Sequence, residues 1–164
     1  IYRNYNNQVD IYKILKFKHY CKKKGFKFFL SNNVKLAINL QLDGVYLPSF
    51  NKSFKHLTYR VKRNFQFIGS AHSLKEIRIK EKQGIKLIFL SSLFKKNKNY
   101  LGINKFKLIT KLSKINFIAL GGINNLNIKV LKLINVIGYA GISVFKKKGP
   151  WNRGPFYKLY LILN

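Results

Sequence analysis

Acid–base and metal chemistry draw on carboxylates, and this sequence has four: Asp10, Asp43, Glu76 and Glu81. So small a set limits any mechanism built on paired carboxylates or on a hard divalent cation. Cys21 is the sole cysteine, which excludes an internal disulfide and a cysteine-rich metal cage. With lysines following it and no histidine partner, it reads as a packed or idle thiol. His19 and His56 have no partner cluster and are expected at the surface, and His72, beside a serine suited to cap a helix, is expected as a turn or packing residue. What the sequence does offer is positive charge. Lys95, Lys96 and Lys98 crowd one short stretch, and Gly121-Gly122 follows an apolar run. The glycine pair is either a tight turn or a place where backbone N–H groups approach a phosphate.

Lys and Arg total 33 of the 164 residues, for a net charge of +29. Nucleic acid would be an obvious partner for such a chain. Yet Arg supplies only five of these cations, Arg3, Arg60, Arg63, Arg78 and Arg153, whereas surfaces that grip phosphates and bases favour its planar fork. The lysines fall on nearly every segment, amid abundant Asn, Ile, Phe and Tyr, as a strongly AT-biased genome would encode. Composition bias is the preferred explanation, and nucleic acid is not an expected partner. Hydrophobic residues at 47% and aromatics at 15% exclude a disordered tail. The longest apolar runs, near 87–90 and 117–120, are strand-sized and too short to span a membrane. The sequence opens on Ile1, holds no Met, and shows no leader pattern; a chain lacking its natural beginning is the expectation.

The elements that must position these residues follow from pattern. Asp10 is placed to cap a helix with Ile11, Ile14 and Leu15 on one face, stopping at the lysines before Gly25. Val34, Leu36, Ala37 and Leu40 suggest a brief helix. Ser73 and Glu76 form a capping box opening a helix that ends at Gln83-Gly84. Phe106, Ile109 and Leu112 mark another helical face, and a last helix is expected over 126–135. Between these lie seven apolar strand candidates: 1–3, 26–30, 45–47, 65–69, 87–90, 116–120 and 140–144. Strands alternating with helices across short polar connections predict an α/β protein with parallel strands. An open doubly wound sheet and a (β/α)8 barrel missing its first strand both hold seven such strands; the abrupt start favours the barrel.

Several segments in register resemble one family. Leu42-Asp43-Gly44-Val45-Tyr46-Leu47 is similar to its Ala-Asp-Gly-Val-His-Leu strand. The run from Ile68 to Glu76, Ile-Gly-Ser-Ala-His-Ser-Leu-Lys-Glu, resembles its Gly-Val-Ser-Ala-His-Ser strand end and helix start. The stretch 87–94 resembles the strand leading to its Pro-Val-Phe loop. Ile118-Ala119-Leu120-Gly121-Gly122-Ile123 and Ala140-Gly141-Ile142-Ser143-Val144 resemble its last two strands. The chain looks like a thiamine phosphate synthase, in the superfamily that also holds thiazole tautomerases, over about residues 1–147.

The resemblance implies a single barrel domain over 1–164 and a cytoplasmic enzyme of thiamine biosynthesis. Such enzymes join a hydroxymethylpyrimidine pyrophosphate to a thiazole phosphate and release pyrophosphate, with Mg²⁺ on the leaving group. Carried onto this sequence, Arg3 stands for the arginine that binds pyrophosphate, while Ile1 and Tyr5 replace the flanking glutamine and lysine. Ser31-Asn32 replaces an Asn-Asp pair, and the next acidic position falls at Phe50 or Asn51. Asn32 and Asn51 thus stand at the metal positions with the carboxylates gone. Ser70 matches the serine facing substrate. Lys96 and Asn99 occupy the two positions of a Thr-x-x-Lys loop, with Lys95 and Lys98 able to supply charge nearby. Ser70 and Lys96 are the catalytic candidates, and Arg3, Ser31, Asn32, Asn51, Lys98 and Asn99 the substrate-binding ones. Gly121, Gly122 and Ile123, with Phe145 and Lys146, match the turns that hold the thiazole phosphate. Ser92 stands where a tautomerase has histidine, which disfavours that activity. The alternative to a synthase is a non-catalytic barrel that keeps its phosphate turn and has lost the metal carboxylates.

Overall fold

The computed structural model describes residues 1–5, 9–141 and the strand at 160–163. The chain divides into two compact units, Ile1–Gly69 and Ser70–Asn164. The sheets that follow make this an α/β protein with six parallel strands, three pairing in each unit. Among the described residues, no helix is long and apolar enough to cross a membrane.

In the first unit, α1 (Ile11–Lys23) starts where Asp10 accepts the Lys13 N–H at 2.8 Å. It stops at Lys22 and Lys23, before Gly25 with φ +67°. Strand β1 (Phe29–Ser31) begins later than the expected 26–30, because the Phe26 N–H closes the helix end by bonding to the Cys21 carbonyl at 2.8 Å. Asn33 caps α2 (Val34–Asn39), its side chain accepting the Leu36 N–H at 3.1 Å. Then comes β2 (Gly44–Leu47), buried throughout, and β3 (Gln66–Ala71). β2 lies parallel to β1, with Leu30 beside Val45, and parallel to β3, with Val45 beside Phe67. The expected strand at 1–3 is a single parallel bridge, Tyr2 to Leu30. Continuous burial along a strand is what a parallel sheet demands.

Two glimpses of local chemistry fix this unit. Asp43, just before β2, accepts the Phe28 N–H at 2.7 Å and so ties the entrances of β1 and β2 together. At Gly44 a side chain would run into the Gln66 carbonyl and meet the Phe29 ring at 2.8 Å. The basic stretch after β2 holds a short 3₁₀ turn, Lys55–Thr58. It carries His56 inward to 5% exposure, its ring 5.1 Å from that of Phe67. The surface position expected for His56 is therefore wrong: ring packing outweighs the lysines around it in sequence.

In the second unit, α3 (Leu74–Lys82) opens on the capping box. Ser73 accepts the Glu76 N–H at 3.3 Å, while Glu76 reaches back to the His72 N–H at 2.6 Å, one residue beyond the usual partner. β4 (Leu87–Ser91), α4 (Gly102–Lys111) and β5 (Asn116–Leu120) follow. Phe106 and Ile109 of α4 are buried as expected, but Leu112 is past the helix end and exposed. The helix expected over 126–135 is a 3₁₀ segment, Ile128–Leu133. Asn124 takes the N–H groups of Leu126 and Asn127 on its side chain, and Asn127 takes that of Asn124; such local bonds compete with a regular helix. β6 (Gly138–Gly141) starts two residues before the expected 140–144 strand and shares 140–141 with it; 142–144 lie outside the described residues. β4, β5 and β6 are parallel, with Phe89 beside Ile118 and Ala119 beside Tyr139. A strand the sequence reading did not include, β7 (Tyr160–Leu163), runs antiparallel along β6.

Two expectations arise from the packing. Gly44→Ala should lower the free energy of unfolding by about 3 kcal/mol, the overpacking cost at a site where the opposing atom is backbone; an unchanged midpoint in urea would contradict it. The second concerns Lys80 on α3, fully buried, whose Nζ donates to the buried Gln83 side chain at 2.9 Å. Burial pushes this ammonium down from the ordinary 10.5 to about 8, against the raising pull of Glu76. The unfolded chain therefore binds more protons than the native one between those values, and stability should rise as pH climbs from 8 toward 10.5. Below pH 8 both states are charged and the folded protein carries the full desolvation cost. Lys80→Met should flatten that rise and stabilise the protein at pH 7 by about 2 kcal/mol. Parallel pH profiles of the two proteins in urea unfolding would contradict this.

Candidate functional site

In parallel α/β proteins, ligands gather at the C-terminal ends of strands. In the first unit these ends carry Ser31, Asn32 and, after β2, Asn51. Asn32 has φ 60°, a left-handed conformation that asparagine and aspartate tolerate. Its side-chain Oδ1 accepts from Asn51 Nδ2 at 2.6 Å. Buried Ser31 shares a 2.6 Å hydrogen bond with the Tyr5 hydroxyl, and the Tyr5 ring meets Phe50 edge-on at 5.5 Å. The Arg3 guanidinium lies over the Tyr46 ring, 4.5 Å from its centre. A cation on a ring face keeps its N–H donors for an anion. A cleft of about 240 Å³ is lined by Asn32, Asn33, Lys35, Asn51, Lys55 and His56, among others. The sequence candidates Arg3, Ser31, Asn32 and Asn51 thus lie at one set of strand ends. Tyr5, Lys35, Lys55 and His56 complete that end of the unit. Tyr5 was visible as a substituted motif position, whereas the two lysines were hidden among 26 others of their kind.

In the second unit, Ser70 near the end of β3 is buried at 8% exposure. His72 Nδ1 sits 2.9 Å from the Ser91 carbonyl oxygen and 3.0 Å from its hydroxyl. The histidine thus packs against the end of β4, as expected for a turn residue. The loop after β4 is tied down by Ser92: its N–H donates to the Asn99 carbonyl, its carbonyl accepts the Leu101 N–H, and its hydroxyl donates to the Lys95 carbonyl. This bonding holds the ends of the lysine-bearing stretch while Lys95, Lys96 and Lys98 stay exposed. Asn99 serves the loop through its backbone.

Gly121 and Gly122 have φ of 106° and 76°. Their loop meets the one after β4, the Phe94 and Lys95 N–H groups donating to the Gly121 carbonyl at 2.8 and 3.2 Å. A side chain at Gly122 would come within 2.7 Å of the Lys95 nitrogen. At Gly121 a side chain would instead run into the Ser92 hydroxyl and meet its Cα at 2.9 Å; close contact and positive φ together demand glycine at both positions. Ile123 is a core residue at 1% exposure. Phe145 and Lys146 lie outside the described residues.

The residues present do not fit the Mg²⁺ implied by the resemblance. Positions 32 and 51 are neutral amides bonded to each other, and all four carboxylates are engaged elsewhere. Asp10 caps α1 and Asp43 holds Phe28 at the opposite strand ends. Glu76 caps α3. Glu81 pairs with Arg78 at 2.7 Å and with the Ser113 hydroxyl at 2.6 Å. Burial pushes the Glu81 carboxyl up, but those hydrogen bonds and the Arg78 charge outweigh it and hold the acid below its ordinary range. Among the described residues, no group of three or more His, Cys, Asp or Glu could hold a metal ion. Burial raises the Cys21 thiol, in keeping with an idle cysteine.

Comparison with known proteins points to one family. Putative thiamine-phosphate synthase 2 of Aquifex aeolicus (strain VF5) is 35% identical over 143 residues, 83% of this chain and 75% of that protein. Thiamine-phosphate synthase of Prochlorococcus marinus subsp. pastoris is 31% identical over 143 residues, 84% of this chain but 40% of that one. The solved structure of a thiamine phosphate pyrophosphorylase from Pyrococcus furiosus matches with a TM-score of 0.67 at 23% identity, over 84% of this chain and 70% of that one, a likeness of fold. The family model described as thiamine monophosphate synthase matches residues 2–145, and by that match the chain belongs to the thiamine monophosphate synthase family.

Proposed function

We propose that this chain is a transferase of thiamine biosynthesis built on the (β/α)8 plan, joining a pyrimidine diphosphate to a thiazole phosphate. The observation that carries the reading is the polar cleft at Asn32 and Asn51, within the span of the family match. In the reaction the bond from the pyrimidine methylene carbon to the diphosphate oxygen breaks, its electron pair leaving with pyrophosphate. The thiazole nitrogen then gives its lone pair to that carbon. No proton need move at the reacting atoms, so the protein's task is to steady negative charge on the leaving group.

In the first unit, Arg3, Lys35 and Lys55 are the cations proposed to hold the diphosphate, with Asn32 and Asn51 as hydrogen-bonding partners and Ser31 orienting Tyr5. In the second, Ser70 and Lys96 keep the catalytic assignment and Lys98 a charge-supplying one. Gly121 and Gly122, with Ile123, Phe145 and Lys146, are proposed to hold the thiazole phosphate. Positive φ at both glycines supports close backbone approach to a phosphate.

Incubating the protein with both precursors should yield thiamine phosphate and pyrophosphate in equal amounts, followed by ³¹P NMR. Lys96→Ala should lower kcat/KM by about tenfold, or about 1.4 kcal/mol of transition-state stabilisation, with an unchanged Tm because Lys96 is exposed. Turnover should also fall as salt screens exposed cations. Unchanged kinetics in Lys96→Ala would remove that residue from the machinery, and binding of neither precursor would overturn the reading.

A further inference from the structure

The cleft of the first unit has an unusual polarity that can be read atom by atom. Asn51 Oδ1 accepts the Ser53 backbone N–H at 2.9 Å. A backbone amide only donates, so this bond fixes which end of the Asn51 side chain is oxygen. Asn51 Nδ2 then donates to Asn32 Oδ1 at 2.6 Å, which fixes Asn32 in turn and leaves Asn32 Nδ2 as a donor on an exposed residue. The neighbouring oxygens are occupied in the same sense. Asn33 accepts the Leu36 N–H at 3.1 Å, and the Ser53 hydroxyl accepts the Lys55 N–H at 3.2 Å. Lys35 and Lys55 add two positive charges, and among the described residues no carboxylate lines the cleft.

A divalent cation seeks oxygen lone pairs and negative charge. Here each of these side-chain oxygens already accepts a hydrogen bond, and the local charge is positive. The cleft offers donors instead. We infer that the Asn32–Asn51 pair makes it a direct anion site, which holds the diphosphate group through N–H donors and lysines without a bridging metal ion. The inference rests on the reading above that the ligand is a diphosphate, and it states how this chain would hold it.

The test uses pyrophosphate as probe, by titration calorimetry on the whole chain, once in EDTA and once in Mg²⁺, with Mn²⁺ uptake followed separately by electron paramagnetic resonance. The unmodified protein should bind pyrophosphate in EDTA at least as tightly as in Mg²⁺, and should leave the free Mn²⁺ signal undiminished. The double variant Asn32→Asp, Asn51→Asp should bind pyrophosphate about tenfold more weakly in EDTA, about 1.4 kcal/mol, and should take up Mn²⁺. Aspartate suits the left-handed backbone at position 32, and circular dichroism checks that the variant folds. Mn²⁺ uptake by the unmodified protein, or pyrophosphate binding that requires Mg²⁺, would overturn the inference while leaving the diphosphate reading intact. Equal binding by the variant in EDTA would overturn it as well. No pyrophosphate binding by the unmodified protein in either buffer would overturn the diphosphate reading itself.

Discussion

Four carboxylates among 33 cationic side chains set the terms for the rest of this protein. Three of them accept a backbone N–H, and the fourth, Glu81, binds two side chains. Asp10 and Glu76 cap helices, where a negative charge also complements the helix dipole. Asp43 binds the Phe28 N–H at the entrance of two parallel strands. Glu81 gathers Arg78 and Ser113. With the acids committed to holding the fold together, the C-terminal strand ends of the first unit are furnished with amides, hydroxyls and lysines.

That division places the Asp43 tie and the candidate site at opposite ends of the strands in the first unit. Asp43 precedes β2, while Asn32 and Asn51 follow β1 and β2. Parallel pairing aligns those ends, and close approach at Gly44 lets β2 and β3 lie in register. In the second unit the same economy appears in backbone form. Ser92 ties both ends of a lysine-bearing loop, and Gly121 accepts two N–H groups from it. The lysines there are exposed on a loop whose ends are held by hydrogen bonds, the fixed support that the proposed anion contact calls for.

Much of the fold was legible because parallel strands bury both faces and read as apolar runs. The runs at 45–47, 87–90 and 116–120 became β2, β4 and β5 nearly as expected. Helix starts were legible where Asp10 and the Ser73–Glu76 pair carry capping chemistry. The 3₁₀ segment at Ile128–Leu133 was not, because it turns on side-chain bonds of Asn124 and Asn127 that no hydrophobic period reveals. β7 is a short apolar run whose partner, β6, lies some 20 residues back. At the site, the loss of carboxylates from positions 32 and 51 was plain in sequence. Their mutual hydrogen bond was not, since it joins residues 19 apart and depends on the Ser53 N–H orienting one of them. Burial of His56 escaped for a similar reason, being set by the Phe67 ring on another strand.

The most direct measurement is ¹⁵N-edited NMR of the asparagine side-chain amides as pyrophosphate is titrated into the protein in EDTA. A donor cleft predicts a saturable shift of the Asn32 side-chain N–H pair, along with the backbone amides around Lys35 and Lys55. An unmoved Asn32 pair at saturation, or shifts that emerge only after Mg²⁺ is added, would contradict a metal-free anion site built from the two asparagines.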